Sequence, residues 1–215
     1  MKAYFISGLG ADKRAFQKIT LPEPFEMIHL EWITPLPKES LAQYARRFSE
    51  QIDPSEDFIL TGLSFGGLVA TEISKIIRPC KLILISSAAT RRELPLLYRL
   101  AGNTYIDRLY PYKKMLKPNR LFNWAFGPLD SESQELVNRI ITDTDPAFTK
   151  WAVGEIVRWK NKEIPANLLQ IHGSKDRIFW PSASKASILM SGGGHLCVYS
   201  HGQVITSLIV NNCTN

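Results

Sequence analysis

The chain has little cysteine: Cys80, Cys197 and Cys213 are the only three in 215 residues. An odd set without paired spacing argues against a disulfide framework and predicts reduced thiols. No apolar run is long enough to span a bilayer, so no membrane span is expected. The first apolar stretch, Ala3-Tyr4-Phe5-Ile6-Ser7, is too short for a secretory hydrophobic region and lacks a small-residue cleavage site after it, which predicts a cytoplasmic protein. There is no H-E-x-x-H and no carboxylate cluster at ligand spacing, so no metal is expected. Gly8-Leu9-Gly10 starts like a dinucleotide fingerprint, but Lys13 stands where the third glycine belongs, so no nucleotide cofactor is expected either. Repeats and low-complexity segments are missing as well.

The net charge is +6, and the basic residues are spread along the chain. One stretch is locally basic, with Arg108, Lys113, Lys114, Lys117 and Arg120 and no acid between them. It is a weak attraction for an anionic partner. No DNA- or RNA-binding motif accompanies it, so the excess reads as a solvated surface and no nucleic-acid partner is expected.

The length fits one domain with a sizeable core. Buried-type strands are predicted at Lys2–Ser7, Phe25–Leu30, Asp57–Thr61 and Cys80–Ser86. Helical patterns fall between them at about Asp12–Lys18, Lys38–Ile52 and Leu68–Ile77. That alternation predicts an α/β protein with a doubly wound, mainly parallel sheet. From Ala88 to Glu163 the rhythm breaks. This segment reads as helices at about Leu94–Leu100, Tyr105–Tyr110, Pro118–Phe126, Ser131–Thr142 and Pro146–Lys160. Strands at Asn167–His172 and Ala186–Met190 and a last helix at Val198–Asn211 complete the pattern. Residues 1–87 and 164–215 therefore form the α/β core, and residues 88–163 a helical cap inserted over the sheet's carboxyl edge, where such sheets place their ligand sites.

The most informative stretch is Gly62-Leu63-Ser64-Phe65-Gly66-Gly67, between a predicted strand and a predicted helix. G-x-S-x-G in that context is a nucleophile elbow, a sharp turn that lifts the serine hydroxyl clear of the sheet edge. Such a turn needs neighbours without bulky side chains. Ser64 alone is a weak nucleophile and needs a base. Two later strands end in His172-Gly173-Ser174-Lys175-Asp176 and Ser191-Gly192-Gly193-Gly194-His195. Strands of a parallel sheet release their loops at one edge, so Ser64, Asp176 and His195 can converge. In that reading His195 is the base and Asp176 orients it. His201 is the rival base, six residues further on and without the strand-end position. His29 and His172 read as structural, and Asp143 and Asp145 are too irregularly placed to be the acid. The backbone N–H groups of Phe65 and Leu9 are the candidate oxyanion donors.

Together these motifs resemble the α/β-hydrolase superfamily: the Ser64 elbow, His172 to Asp176 followed by Pro181, the glycines before His195, and Phe5-Ile6-Ser7-Gly8-Leu9-Gly10 as the oxyanion loop. The resemblance covers the whole chain, the cap being matched only in position and helical character. It implies a fold without that family's usual first two strands, hence a sheet of about six, and a cap between what would be its sixth and seventh strands. Ser7 stands where the family often has histidine. The activity implied is that of a serine hydrolase, a carboxylesterase acting on a small-molecule ester through an acyl-Ser64 intermediate without a cofactor. A lyase, a C–C hydrolase or a non-catalytic small-ligand receptor on the same scaffold are the alternatives. Trp124, Trp151 and Trp159 in the cap and Trp180 beside Asp176 are candidate pocket walls. The competing reading is that they pack the cap onto the sheet, as a helical cap must bury its own apolar faces. The substrate and the oligomeric state are left open.

Overall fold

The computed structural model describes residues 1–104, 120–181 and 187–213. Six parallel strands form one sheet in the order β2-β1-β3-β4-β5-β6: β1 Lys2–Ile6, β2 Glu26–Leu30, β3 Phe58–Leu63, β4 Lys81–Ile85, β5 Leu168–Gly173 and β6 Ser187–Met190. The α-helices are α1 Leu41–Phe48, α2 Phe65–Ile73, α3 Leu96–Thr104, α4 Arg120–Phe126, α5 Ser131–Asp143, α6 Pro146–Arg158, α7 Cys197–Ser200 and α8 Gly202–Cys213. The predicted helix at Tyr105–Tyr110, the basic residues Arg108, Lys113, Lys114 and Lys117, and Ala186 lie outside the described residues. No helix among the described residues is long and apolar enough to cross a membrane.

The continuous aliphatic strands are explained by burial on both faces. Ile83 and Ile85 of β4 pack in one cluster with Ile205 and Ile209 of α8. Their alternates, Leu82 and Leu84, pack in another with Leu68 and Val69 of α2. β1 is the first strand laid down, β2 adds to one side of it and β3 to the other, so the winding reverses between β1 and β3. The chain segments leaving those two strands diverge there, which opens a crevice at the carboxyl edge.

Several boundaries differ from the sequence reading, each for a local reason. Ser40 lies just outside α1 as its N-cap: its hydroxyl accepts from the Gln43 N–H (3.4 Å), and the Gln43 side chain accepts from the Ser40 N–H (2.9 Å). α2 starts at Phe65, directly on the elbow, and ends before Ile76 and Ile77. The last helix is two, because His201 leaves helical geometry with φ −122°. Cys80, expected to open a buried strand, is exposed just before β4, and all three cysteines are free thiols.

The stretch between β4 and β5 holds helices and no strand among its described residues, and its two stems are tied together. The Arg91 guanidinium donates to the carbonyls of Val157 (3.0 Å) and Trp159 (2.7 Å), and the Asn161 amide donates to the Ala89 carbonyl (2.7 Å). α5 and α6 are capped by Asp130 and Asp145, whose carboxylates accept from the N–H groups of Ser133 and Ala147.

Candidate active site

Ser64 sits at the junction of β3 and α2 with φ 53° and ψ −120°, a conformation outside the helical and strand regions. Holding a non-glycine residue there costs about 1–3 kcal/mol, so the surroundings must over-determine it. They do: the Ser64 N–H donates to the Ile85 carbonyl (2.9 Å), and the Ser64 carbonyl accepts from the Gly67 N–H (2.9 Å) and the Ser87 hydroxyl (2.6 Å). Gly66 is required by close approach, since a Cβ there would stand 2.2 Å from the Ser7 carbonyl oxygen.

The loops after β5 and β6 are joined main chain to main chain. The Lys175 N–H donates to the Gly193 carbonyl (2.8 Å), and the Ser174 N–H to the Met190 carbonyl (3.0 Å). A Cβ on Gly173 would fall 2.1 Å from the Gly194 carbonyl oxygen, so the Asp176 loop can meet the His195 loop only through glycine. The helical stretch adds a third hold: the His195 N–H donates to the Phe126 carbonyl at 2.6 Å.

These supports bring three of the sequence candidates into one chain of hydrogen bonds. His195 Nε2 lies 2.9 Å from Ser64 Oγ, and His195 Nδ1 lies 2.8 Å from Asp176 Oδ2. A carboxylate only accepts, so Nδ1 carries the proton and Nε2 is left free to accept from the serine hydroxyl. The other Asp176 oxygen, Oδ1, accepts from the N–H groups of Ile178 (2.8 Å) and Phe179 (3.0 Å). Asp176 and His195 are buried, and the imidazole lies between the rings of Phe179, stacked at 5.9 Å, and Phe126, edge-on at 5.3 Å.

The rivals are placed elsewhere. His201 contacts the Ser191 carbonyl (3.1 Å) and the Ser200 hydroxyl (2.9 Å). His29 lies against the rings of Phe5 and Phe16. Asp143 pairs with Arg14 (2.7 Å), and Asp145 caps α6. His172 is buried beside the acid loop, with Nε2 3.4 Å from the Gln170 amide nitrogen. Burial pushes its pKa down to about 4, with the Asp176 charge opposing in part, so it is a neutral ring at ordinary pH.

The loop after β1 is closed by a hydrogen bond from the Ser7 hydroxyl to the Ala11 carbonyl (2.5 Å). That carbonyl also accepts from the indole N–H of Trp32 (3.0 Å), so the segment after β2 braces this loop. Leu9 and Phe65, the two candidate oxyanion donors, both line the cavity described next. Phe65 is the first residue of α2, where an N–H has no partner within the helix.

A cavity of about 510 Å³ opens over Ser64 and His195, within the size range of small-molecule sites. Val137, Ile140 and Ile141 of α5 form part of its wall, with Val153, Ile156 and Val157 of α6 and Ile178 and Phe179 from the acid loop. Among the described residues, its lining includes no carboxylate, lysine or arginine. None of the four tryptophans put forward as pocket walls is among them. Trp124 is 59 % exposed and lies over the Arg177 guanidinium (4.8 Å), and Trp180 is 52 % exposed. Trp151 packs on Tyr44 (4.5 Å) and donates to the Glu39 carbonyl (2.8 Å). Trp159 is buried and donates to Glu72 (2.7 Å). Each indole is drawn to a partner away from the cavity, while aliphatic helix faces supply much of the wall. Phe122 and Phe126 of α4 do line it. Tyr98 of α3 also lines it and was missed; its signal was a lone polar aromatic in the apolar run Leu94 to Leu100.

No family model matches this sequence, and no curated protein matches it. Solved structures do. MenH from S. aureus superposes with a TM-score of 0.73 over 100% of this chain and 93% of its own, at 17% sequence identity. A hydrolase from Oleispira antarctica gives 0.71 over 100% and 91%, at 15% identity. This chain has the α/β-hydrolase fold. A thermophilic esterase from Thermogutta terrifontis shares it, with a TM-score of 0.68 over 98% of this chain and 88% of its own, at 15% identity. Against the α/β-hydrolase fold, the cavity lies between the carboxyl edge of the sheet and the helices inserted after β4.

Proposed function

We propose that the protein is a serine hydrolase, a carboxylesterase acting on a small or medium ester through an acyl-Ser64 intermediate. The observation that carries this reading is the run from Ser64 Oγ through His195 to Asp176, at 2.9 and 2.8 Å, beside a cavity whose described wall residues are uncharged. In it, Ser64 Oγ attacks the ester carbonyl while His195 Nε2 takes its proton. The ester oxygen, now an anion, is held by the N–H groups of Leu9 and Phe65. The imidazolium is stabilised by Asp176 and returns the proton to the departing alkoxide. Water then repeats the sequence on the acyl-enzyme, with the same base, and releases the acid. Residues 88–163 serve as the cap that bounds the substrate. The strain at Ser64 favours catalysis over a receptor role, since a surface that only holds a ligand has no use for a serine at φ 53°. The solved neighbours named as esterases and hydrolases agree in kind with this reading.

The base assignment is tested with p-nitrophenyl butyrate. His195→Ala is expected to lower kcat by about 10⁴-fold or more, and His201→Ala to stay within about threefold of wild type. Loss of turnover in His201→Ala with retention in His195→Ala would overturn the assignment.

A further inference from the structure

The walls of the cavity pose a question of polarity. Of the described residues that line it, only Ser64, Tyr98, Thr144, Thr149 and His195 have polar side chains. Ser64 and His195 are bonded to each other. Thr144 donates its hydroxyl proton to the Ile140 carbonyl (2.6 Å), and Thr149 to the Asp145 carbonyl (2.9 Å), so both have spent their single donor inside the cap. Tyr98 is different. Its hydroxyl makes no hydrogen bond among the described residues. Burial, reinforced by the negative charge of Asp176, keeps the phenol protonated, so it remains a donor.

A half-buried donor at an apolar wall is unfavourable unless something meets it. In the open cavity water can do so. A ligand that fills the cavity expels that water and must replace its bond. The ester carbonyl is not available, because it is held by main-chain N–H groups at Ser64. We infer that Tyr98 is a specificity-determining hydrogen-bond donor, selecting neutral esters that carry a second acceptor, a ketone or ether oxygen, away from the scissile bond. Charged substrates are disfavoured by the same wall, which offers no counter-charge among its described residues. The assignment of substrate class rests on the serine esterase reading above; the binding role of Tyr98 does not.

The test uses p-nitrophenyl hexanoate and its oxohexanoate isomers, with the ketone moved one carbon at a time. In wild type, one isomer should exceed the plain hexanoate in kcat/KM by about tenfold or more, the size of one well-placed neutral hydrogen bond. In Tyr98→Phe that ratio should collapse towards one. A merely structural role for Tyr98 would lower both esters together and leave the ratio intact, which overturns the proposal. So would the absence of any preferred isomer in wild type. If wild type turns over none of these esters, it is the esterase reading that fails. Tyr98 is then decided by the affinity ratio for the same esters, measured in Ser64→Ala and in Ser64→Ala with Tyr98→Phe. An equal ratio in the two proteins rejects the assignment, and a loss of about tenfold supports it.

Discussion

The loops that carry Ser64, Asp176 and His195 are held mainly by main chain, whereas the helices between β4 and β5 rest mainly on side chains. Ser64 is fixed through its own N–H and carbonyl, and the acid and histidine loops share the bond from the Lys175 N–H to the Gly193 carbonyl. Gly62, Gly66, Gly173 and Gly194 stand where a Cβ has no room. The helices instead lay Val137, Ile140 and Ile141 into the core cluster and are latched by the Arg91 guanidinium. A main-chain site tolerates almost no substitution, because the backbone cannot move out of the way. A side-chain interface tolerates any apolar set of about the right volume. One region thus fixes the chemistry, and the other can change what reaches it.

Three substitutions sharpen this contrast. The largest effect is expected from Gly66→Val, which drives a branched side chain into the Ser7 carbonyl. It should cost about 3 kcal/mol or more, measured by urea denaturation, or prevent folding altogether. A cost below about 1 kcal/mol would show that the elbow can relax.

The second concerns acid. His172 binds its proton near the ordinary histidine value when unfolded but only near about 4 when folded. Between those values the unfolded state binds the proton and the folded state does not. Stability is therefore full above the unfolded value and falls as pH drops towards the folded one, by about 3 kcal/mol in total. A His172→Gln variant should lose much of that slope in denaturation curves taken across this window. An unchanged slope would place the acid sensitivity elsewhere.

The smallest effect belongs to the side-chain region. Val137→Phe fills part of the cavity from α5. It should shift ester preference towards shorter acyl chains by about 10- to 100-fold in kcat/KM, with thermal stability changed by only a few degrees. A uniform loss across chain lengths would mean that Val137 acts on the elbow and not on the pocket.

The same contrast explains what could be read from the residues. The elbow, the glycines before His195 and the His172-Gly173 pair are legible because a strained or crowded backbone restricts residue type at fixed positions. The parallel sheet class follows from continuous aliphatic runs such as Leu82 to Ile85, which only a sheet covered on both faces can bury. The choice between pocket wall and packing could not be read for the tryptophans, because bulk and apolarity do not tell which direction an indole faces. The bonds of Trp151 to Glu39 and of Trp159 to Glu72 span more than eighty positions, and no local pattern encodes them. Tyr98 was hidden for the same reason: an isolated phenol becomes informative only once its neighbours are known to be apolar. The support of the first loop by Trp32 is likewise a contact between separate segments.

The most direct test of the central claim is labelling with an alkyl fluorophosphonate, followed by mass spectrometry of the modified peptide. Folded wild-type protein should take up one label, on Ser64, and Ser64→Ala should take up none. Folded wild-type protein that stays unlabelled, or a label found on another serine, would contradict the account.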